Sequence, residues 1–179
     1  LDLSAIEFSL VNAMSREFTL KNSIREIKDN YDYVLIDCMP SLGMITINAL
    51  ACSDKIIIPV QGEYLAAKGM GHLLKTVNRV HKQINPNLKI GGVLLTLVDN
   101  RTNLSKYVRD TLNENYGHYV NIYNTEIPKA INTAKSTSTG KSIFEFDKNS
   151  PVAEAYKNLA KEVLDNERTR TKNETSKAR

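Results

Sequence analysis

Two short runs that are apolar without interruption, KIIIPV (Lys55–Val60) and LKIGGVLLTLV (Leu88–Val98), flank a stretch with helical periodicity. This pattern narrows the fold more than any other feature. A strand apolar on both faces must be buried on both faces, and that happens in parallel sheets covered by helices. Parallel neighbours also need a long crossover between them. Residues 63–84 supply it, with Ala66, Met70, Leu73, Leu74, Val77, Val80 and Ile84 on one helical face. Further helices are expected at about 4–16, opened by the Ser4/Glu7 capping-box spacing, through Leu20, Ile24 and Ile27, over 42–52, and over 104–112. Tyr33–Ile36 reads as a buried strand, and Val120–Ile127 holds a short one ending at Pro128. Ser150 and Pro151 open a last helix whose inner face carries Val152, Ala155, Tyr156, Leu159, Val163 and Leu164. The expected class is α/β, a doubly wound, mostly parallel sheet with helices on both faces.

Composition limits the function. At 41% hydrophobic and 25% charged residues over 179 positions, the chain is an ordinary globular sequence. No apolar run approaches the roughly 20 residues of a membrane helix. Asp2 and Glu7 do not suit a secretory leader, and two cysteines, Cys38 and Cys52, make no disulfide framework. A cytoplasmic protein is expected. The formal charge of +4 gathers at the end: after Asn166 come Arg168, Arg170, Lys172, Lys177 and Arg179 against Glu167 and Glu174. Such a tail either attracts nucleic acid without reading sequence or is a frayed, solvated terminus. Residues 1–165 are therefore read as one domain and 166–179 as a basic, polar, disordered tail. Its sole hydrophobic residue, Ala178, gives it nothing with which to lie on a bilayer. The first residue is Leu1 rather than Met, which suggests a processed chain or a fragment.

In a doubly wound sheet, chemistry gathers at the carboxyl ends of strands. The run YDYVLIDCMPS places Asp37 at such an end. An Asp there can orient Mg2+ or its waters beside a nucleotide's phosphates, or simply cap a helix. His72, His81 and His118 have no metal-ligand spacing, and neither cysteine has a recognisable base partner.

The surrounding residues resemble the ParA branch of the deviant-Walker, MinD/ParA-type ATPases. Members read YDYIIIDCPPSLG, then INAL, then a strand ending in IPVQ, then E-Y-x-A-x-x-G. The corresponding segments here are Tyr31–Gly43, Ile47–Leu50, Ile58–Gln61 and Glu63–Gly69. GVLLTLVDNRTNLS (Gly92–Ser105), Ile127–Pro128, Gly140–Lys141 and the closing F-x-x-x-S-x-x-A-x-A-Y-x-x-L-A-K-E-V also follow the family pattern, over about residues 4–164. The resemblance implies a P-loop NTPase-like fold with its N-terminal part missing. It implies a DNA-partition ATPase that binds ATP and Mg2+, forms a homodimer around two nucleotides and binds DNA non-specifically on the nucleoid. A ParB-type centromere-binding partner stimulates hydrolysis in that family.

Carried over residue by residue, Asp37 falls on the Walker B carboxylate, contacting Mg2+ through water. Cys38–Gly43 falls on the second switch. Asp99, Asn103 and Pro128 fall where members hold the adenine. Arg101 falls in a segment with a DNA-contacting arginine, and it is otherwise a solvated surface residue. Where members carry R-L-S this chain has Asn132, Thr133 and Ala134, and Ala130 stands in place of Asn. Lys129 and Lys135 are the nearby cations that can supply the missing charge. Met39 replaces the first Pro of CPPS.

The family's phosphate loop, KGGxGKT, has no counterpart in these 179 residues. KSTSTGKS (Lys135–Ser142) ends in GKS, but it lacks the leading Gly and follows no buried strand. This chain alone is therefore expected to hydrolyse no ATP, to bind no nucleotide tightly and to expose an unpaired apolar strand edge. The alternative is a non-catalytic DNA- or partner-binding module built on the same fold.

Overall fold

The computed structural model describes residues 6–7, 9–10, 12–39, 41–61, 64–99 and 101–177, without the side chains of 64–69 and 169–177. The helix start expected at Ser4 lies outside them, as do Val11, Pro40, Gly62, Glu63 and Asn100. Residues 6–7 and 9–10 are helical. Helices α1 (Thr19–Ile24) and α2 (Met44–Cys52) precede β1 (Lys55–Gln61), α3 (Tyr64–Gln83) and β2 (Lys89–Thr96). Then come α4 (Asn103–Tyr116), α5 (Ile131–Ser138), α6 (Ile143–Phe146) and α7 (Pro151–Lys177). The chain divides into two compact units. Unit 1 is Leu1–Ile56 with Gly69–Ile90, and unit 2 is Ile57–Lys68 with Gly91–Arg179.

β1 and β2 form the two-stranded sheet, joined by α3 as the apolar pattern required. Parallel bridges Val93–Ile122 and Val98–Pro128 lay residues 121–129 beside β2. Val93 N–H donates to the Asn121 carbonyl at 2.8 Å, and Tyr123 N–H to that of Val93 at 2.9 Å. Further along, Ile127 N–H donates to Leu95 and Lys129 N–H to Val98, each at 2.9 Å. Gly92 permits this approach: its φ is 159°, and a Cβ there would stand 2.7 Å from the Tyr123 ring.

In unit 1 the core joins Leu50, Val77, Val80 and Leu88, with Ile56, Leu73, Ile84 and Ile90 packed around them. Fully burying each such side chain is worth about 1.5–3 kcal/mol. Two buried asparagines fix the loops. Asn48 accepts from Leu20 N–H at 3.0 Å and donates to the Arg16 carbonyl at 2.8 Å, clamping the α1 turn to α2. Asn85 donates to the Leu50 and Ser53 carbonyls at 3.0 and 2.8 Å, closing the end of α2. The Glu7 carboxylate accepts from Met44 N–H at 3.1 Å, at the start of α2.

The buried strand expected at Tyr33–Ile36 is not formed. Residues 33–39 carry no regular structure, and Leu35 is 93% exposed. An apolar run becomes a strand only when a neighbour takes up its N–H and C=O groups. Among the described strands, β1 pairs with β2 and none lies along this segment.

In unit 2, Leu94, Tyr123, Ile127, Ile143, Val152 and Ala155 form the core, with Leu159 and Val163 half-buried against it. Tyr156 and Leu164, expected on the same inner face of α7, are instead exposed. Ser150 Oγ accepts from Ala153 N–H at 3.2 Å and caps α7 ahead of Pro151. The helix continues to Lys177, through most of the segment read as a disordered tail. Glu167 and Arg168 are good helix formers, and Arg168 pairs with Asp165 one turn back at 3.8 Å.

The outer edge of 121–129 is closed by side chains. The Glu162 carboxylate accepts from Asn124 N–H at 2.8 Å and from Thr125 N–H at 2.9 Å. Arg109, on α4, binds Glu126 through Nε at 2.8 Å and reaches the Asn124 carbonyl at 3.5 Å. Partial burial pushes the Glu162 pKa up, but the bonds from Asn124 and Thr125 outweigh it and hold the carboxyl below the ordinary glutamate value.

Glu162→Ala is expected to destabilise the chain by about 1–3 kcal/mol in urea unfolding at pH 7, since two edge N–H groups lose their acceptor. The folded-state pKa is depressed. The Glu162 contribution is therefore complete above the ordinary value of about 4.3 and is lost as pH falls through the lower folded value. Glu162→Gln should flatten that acid limb. Leu35→Lys should raise the concentration at which the chain stays monodisperse in light scattering, because it places a charge in an exposed apolar segment.

Candidate functional site

Four of the residues singled out in the sequence stand where β2 ends and the 121–129 segment ends beside it. Leu97 leaves β2 in the left-handed region, at φ 52°, a conformation uncommon for a non-glycine residue. Val98 then turns inward, buried, and pairs with Pro128. Asp99 follows, half-buried. Its main-chain oxygen accepts from Thr102 N–H at 3.1 Å, Thr102 Oγ1 at 3.0 Å and Ser105 Oγ at 3.4 Å. These bonds set the entry into α4.

The Asp99 carboxylate does something else. Its Oδ1 accepts from Arg101 N–H at 3.1 Å and Arg101 Nε at 2.9 Å, and its Oδ2 accepts from Arg101 Nη2 at 2.8 Å. The side-chain bonds to Arg101, then the backbone bond, hold the Asp99 pKa down to about 2, and the charge of Lys129 adds to this. The same pair pushes the Arg101 pKa up. Arg101 is nevertheless 89% exposed, against 30% for Asp99. Sequence reasoning placed both residues in functional loops but missed their pairing. The D-x-R spacing was the available signal.

The other sequence-derived residues distribute as follows. Lys129 is exposed and within electrostatic reach of Asp99. Lys135 is exposed in the last turn of α5, and Asn103 is the exposed first residue of α4. Pro128 lines an open cavity of about 520 Å3 with Val98, Asn124, Glu126, Ala155 and Asn158, whereas Asp99 and Asn103 do not line it. Asp37 belongs to unit 1 and is exposed, in the segment without strand structure. Burial, and then the neighbouring Asp37, push the Cys38 thiol pKa up; burial also raises that of Cys52. Both are free thiols, and neither has the depressed pKa of a reactive cysteine.

Among the described residues no group of three or more His, Cys, Asp or Glu side chains is placed to hold a metal. Asp99, the carboxylate assigned to the nucleotide, has both oxygens engaged by Arg101. The GKS triplet serves local structure. Gly140, at φ 66°, ends α5: its N–H donates to the Thr137 carbonyl and that of Lys141 to Ser136, both at 3.1 Å. This is a Schellman C-cap, which uses the left-handed freedom of glycine. Ser142 then caps α6 in a capping box with Glu145.

With this geometry in place, comparison with known proteins defines the class. The AAA domain family model matches residues 1–90, and the chain belongs to the ParA/MinD-like family of P-loop ATPases. It is 46% identical over 166 residues to the sporulation initiation inhibitor protein Soj of Bacillus subtilis, covering 93% of this chain and 65% of Soj. It is 38% identical over 164 residues to the chromosome partitioning protein ParA of Myxococcus xanthus, covering 91% and 57%. Cobyrinic acid a,c-diamide synthase from Mycobacterium smegmatis superposes with a TM-score of 0.76 at 32% identity, covering 90% of this chain and 58% of that one. Its form with bound ADP and magnesium gives 0.68 at 36% identity, covering 72% and 52%. The fold is thus the α/β fold of P-loop nucleotide hydrolases. The chain spans less than two thirds of the length of each of these proteins.

Ser142→Ala is expected to cost about 1 kcal/mol of stability in urea unfolding, the usual value of an N-cap. It should leave the binding of a fluorescent ATP analogue at its parent level, because these residues shape helix ends.

Proposed function

We propose that this chain acts in segregating plasmid or chromosomal DNA as a ParA-type ATPase acts. In this reading ATP and Mg2+ drive homodimerisation, the dimer binds DNA without sequence preference in the cytoplasm on the nucleoid, and a ParB-type partner triggers release. The observation that carries the reading is the 46% identity to Soj over 93% of this chain. Solved relatives with ADP and magnesium bound support the choice of nucleotide. Among the described helices, none is long and apolar enough to cross a membrane.

Asp37 is assigned to the Mg2+ water shell in unit 1. Pro128 and Asn103 are assigned to the base in unit 2. Exposed Arg101, Lys129 and Lys135 form the cationic DNA surface of unit 2. Each phosphate contact a cation makes releases condensed counterions, so such a surface binds duplexes of any sequence and weakens steeply with salt.

A second reading, a non-catalytic DNA- or partner-binding module, is favoured by one fact: these 179 residues contain no Gly-rich phosphate loop. Without backbone N–H groups and a Lys around the phosphates, Asp37 alone cannot hold ATP·Mg2+. The 179-residue chain by itself is therefore expected to give no Mg2+-dependent ATP turnover above the buffer blank. Turnover abolished by Asp37→Ala would overturn this expectation. In fluorescence-anisotropy titrations with a mixed-sequence duplex, the combined Arg101→Ala, Lys129→Ala and Lys135→Ala variant should lower the slope of log K against log salt by about 0.9 per lost contact. An unchanged slope removes the DNA surface from these residues. DNA binding indifferent to nucleotide favours the module.

A further inference from the structure

We infer that Asp99 is a positioning residue for DNA binding, which holds the Arg101 guanidinium side-on so that its free end faces a backbone phosphate. The inference rests on the DNA reading of Arg101 given above and assigns Asp99 a role other than contact with a nucleotide base.

The geometry is that of a fork. Asp99 engages Nε and Nη2 of Arg101 and, through Oδ1, the Arg101 backbone N–H. A guanidinium has five N–H donors in one plane. Side-on pairing uses the Nε–H and one Nη2–H. Both hydrogens of Nη1 and the second of Nη2 remain, and one from each nitrogen makes up the end-on edge that matches two phosphate oxygens. The exposure agrees: the arginine is 89% exposed while its carboxylate partner is 30% exposed, so the pair presents its cationic side to solvent. Asp99 is itself fixed, because its main-chain oxygen anchors the first turn of α4 through Thr102 and Ser105 and the preceding residue is bridged to Pro128. An exposed arginine normally loses side-chain freedom when it meets a phosphate. Here that freedom is already restricted in the free chain. Lys129, whose backbone N–H is bonded to Val98, stands within electrostatic reach of the same carboxylate. The charge of Asp99 is thus offset by two cations and presents little net repulsion to DNA.

The sign of the effect separates positioning from charge. Were Asp99 only a negative charge beside a DNA surface, removing it would tighten binding. If it positions Arg101, removing it weakens binding. The experiment measures the affinity of the full chain for a mixed-sequence duplex by fluorescence anisotropy, for the parent, Asp99→Ala, Arg101→Ala and the double variant, with thermal melts to check folding. Asp99→Ala is expected to weaken binding about three- to tenfold, the scale of one newly mobile side chain. It should have no further effect in the Arg101→Ala background. Asp99→Asn leaves the main-chain bonds to Thr102 and Ser105 in place, so it tests the same point should the alanine variant fold poorly, and a smaller loss of the same sign is expected. In 15N NMR of the free parent chain, the Arg101 Nε–H should exchange slowly, and in Asp99→Asn fast. Equal or tighter DNA binding by the Asp99 variants overturns the inference. So does an equal loss with and without Arg101, which would mark a purely structural role, and so does a fast-exchanging Nε–H in the parent. If Arg101→Ala binds DNA as the parent does, or the parent does not bind, the DNA reading itself fails and the inference falls with it.

Discussion

Unit 2 depends on the parallel ladder between β2 and residues 121–129. It begins where Gly92 lets the Tyr123 ring approach the backbone and ends where Lys129 N–H meets the Val98 carbonyl. Its inner side chains, Leu94, Tyr123 and Ile127, form the floor on which Val152 and Ala155 of α7 pack. Its upper end fixes the direction in which the chain leaves, and so fixes where Asp99 and Lys129 stand. The exposed cations of this region project from a rigid base, and rigid elements hold functional groups more closely than free loops do.

Electrostatics in the protein follows backbone geometry closely. The most perturbed carboxylates, Asp99 and Glu162, are not deeply buried; their pKa values are lowered by hydrogen bonds. Asp99 is satisfied by a guanidinium and Glu162 by two amide N–H groups at a strand edge. One carboxylate shapes a surface and the other closes one. The two thiol pKa values move the opposite way, raised by partial burial and, at Cys38, by the neighbouring Asp37 as well.

Much of the fold was legible in the sequence for a physical reason. Lys55–Val60 and Leu88–Val98 are apolar on both faces, and the only economical burial for such runs is a helix-covered parallel sheet. α3 and α7 were legible because their apolar residues recur at helical spacing. Tyr33–Ile36 was misread because apolarity reports a demand for burial, whereas strand formation also needs a neighbour, which periodicity cannot supply. α5 and α6 went unseen because INTAKSTS and IFEF are too polar or too short to show a period. Their ends were written in Gly140 and Ser142, which the eye takes first for part of a phosphate loop. At the candidate site, the residue types and their order were readable, and the family pattern brought Arg101 and Lys129 to attention. The fork between Asp99 and Arg101 was missed although the D-x-R spacing hints at it, because spacing alone does not say that the carboxylate meets the guanidinium side-on.

The closure of the outer strand edge has a consequence for how the protein is made. Glu162 lies 38 positions after Asn124, the backbone it caps. A ribosome therefore completes the edge long before it makes the carboxylate that covers it. Throughout that interval the nascent chain offers two amide groups without their acceptor on the open side of the segment bridged to β2, where another chain can pair. Folding of unit 2 is complete only when α7 has emerged, so synthesis that stalls within α7 yields a polypeptide with most of its core and an open edge.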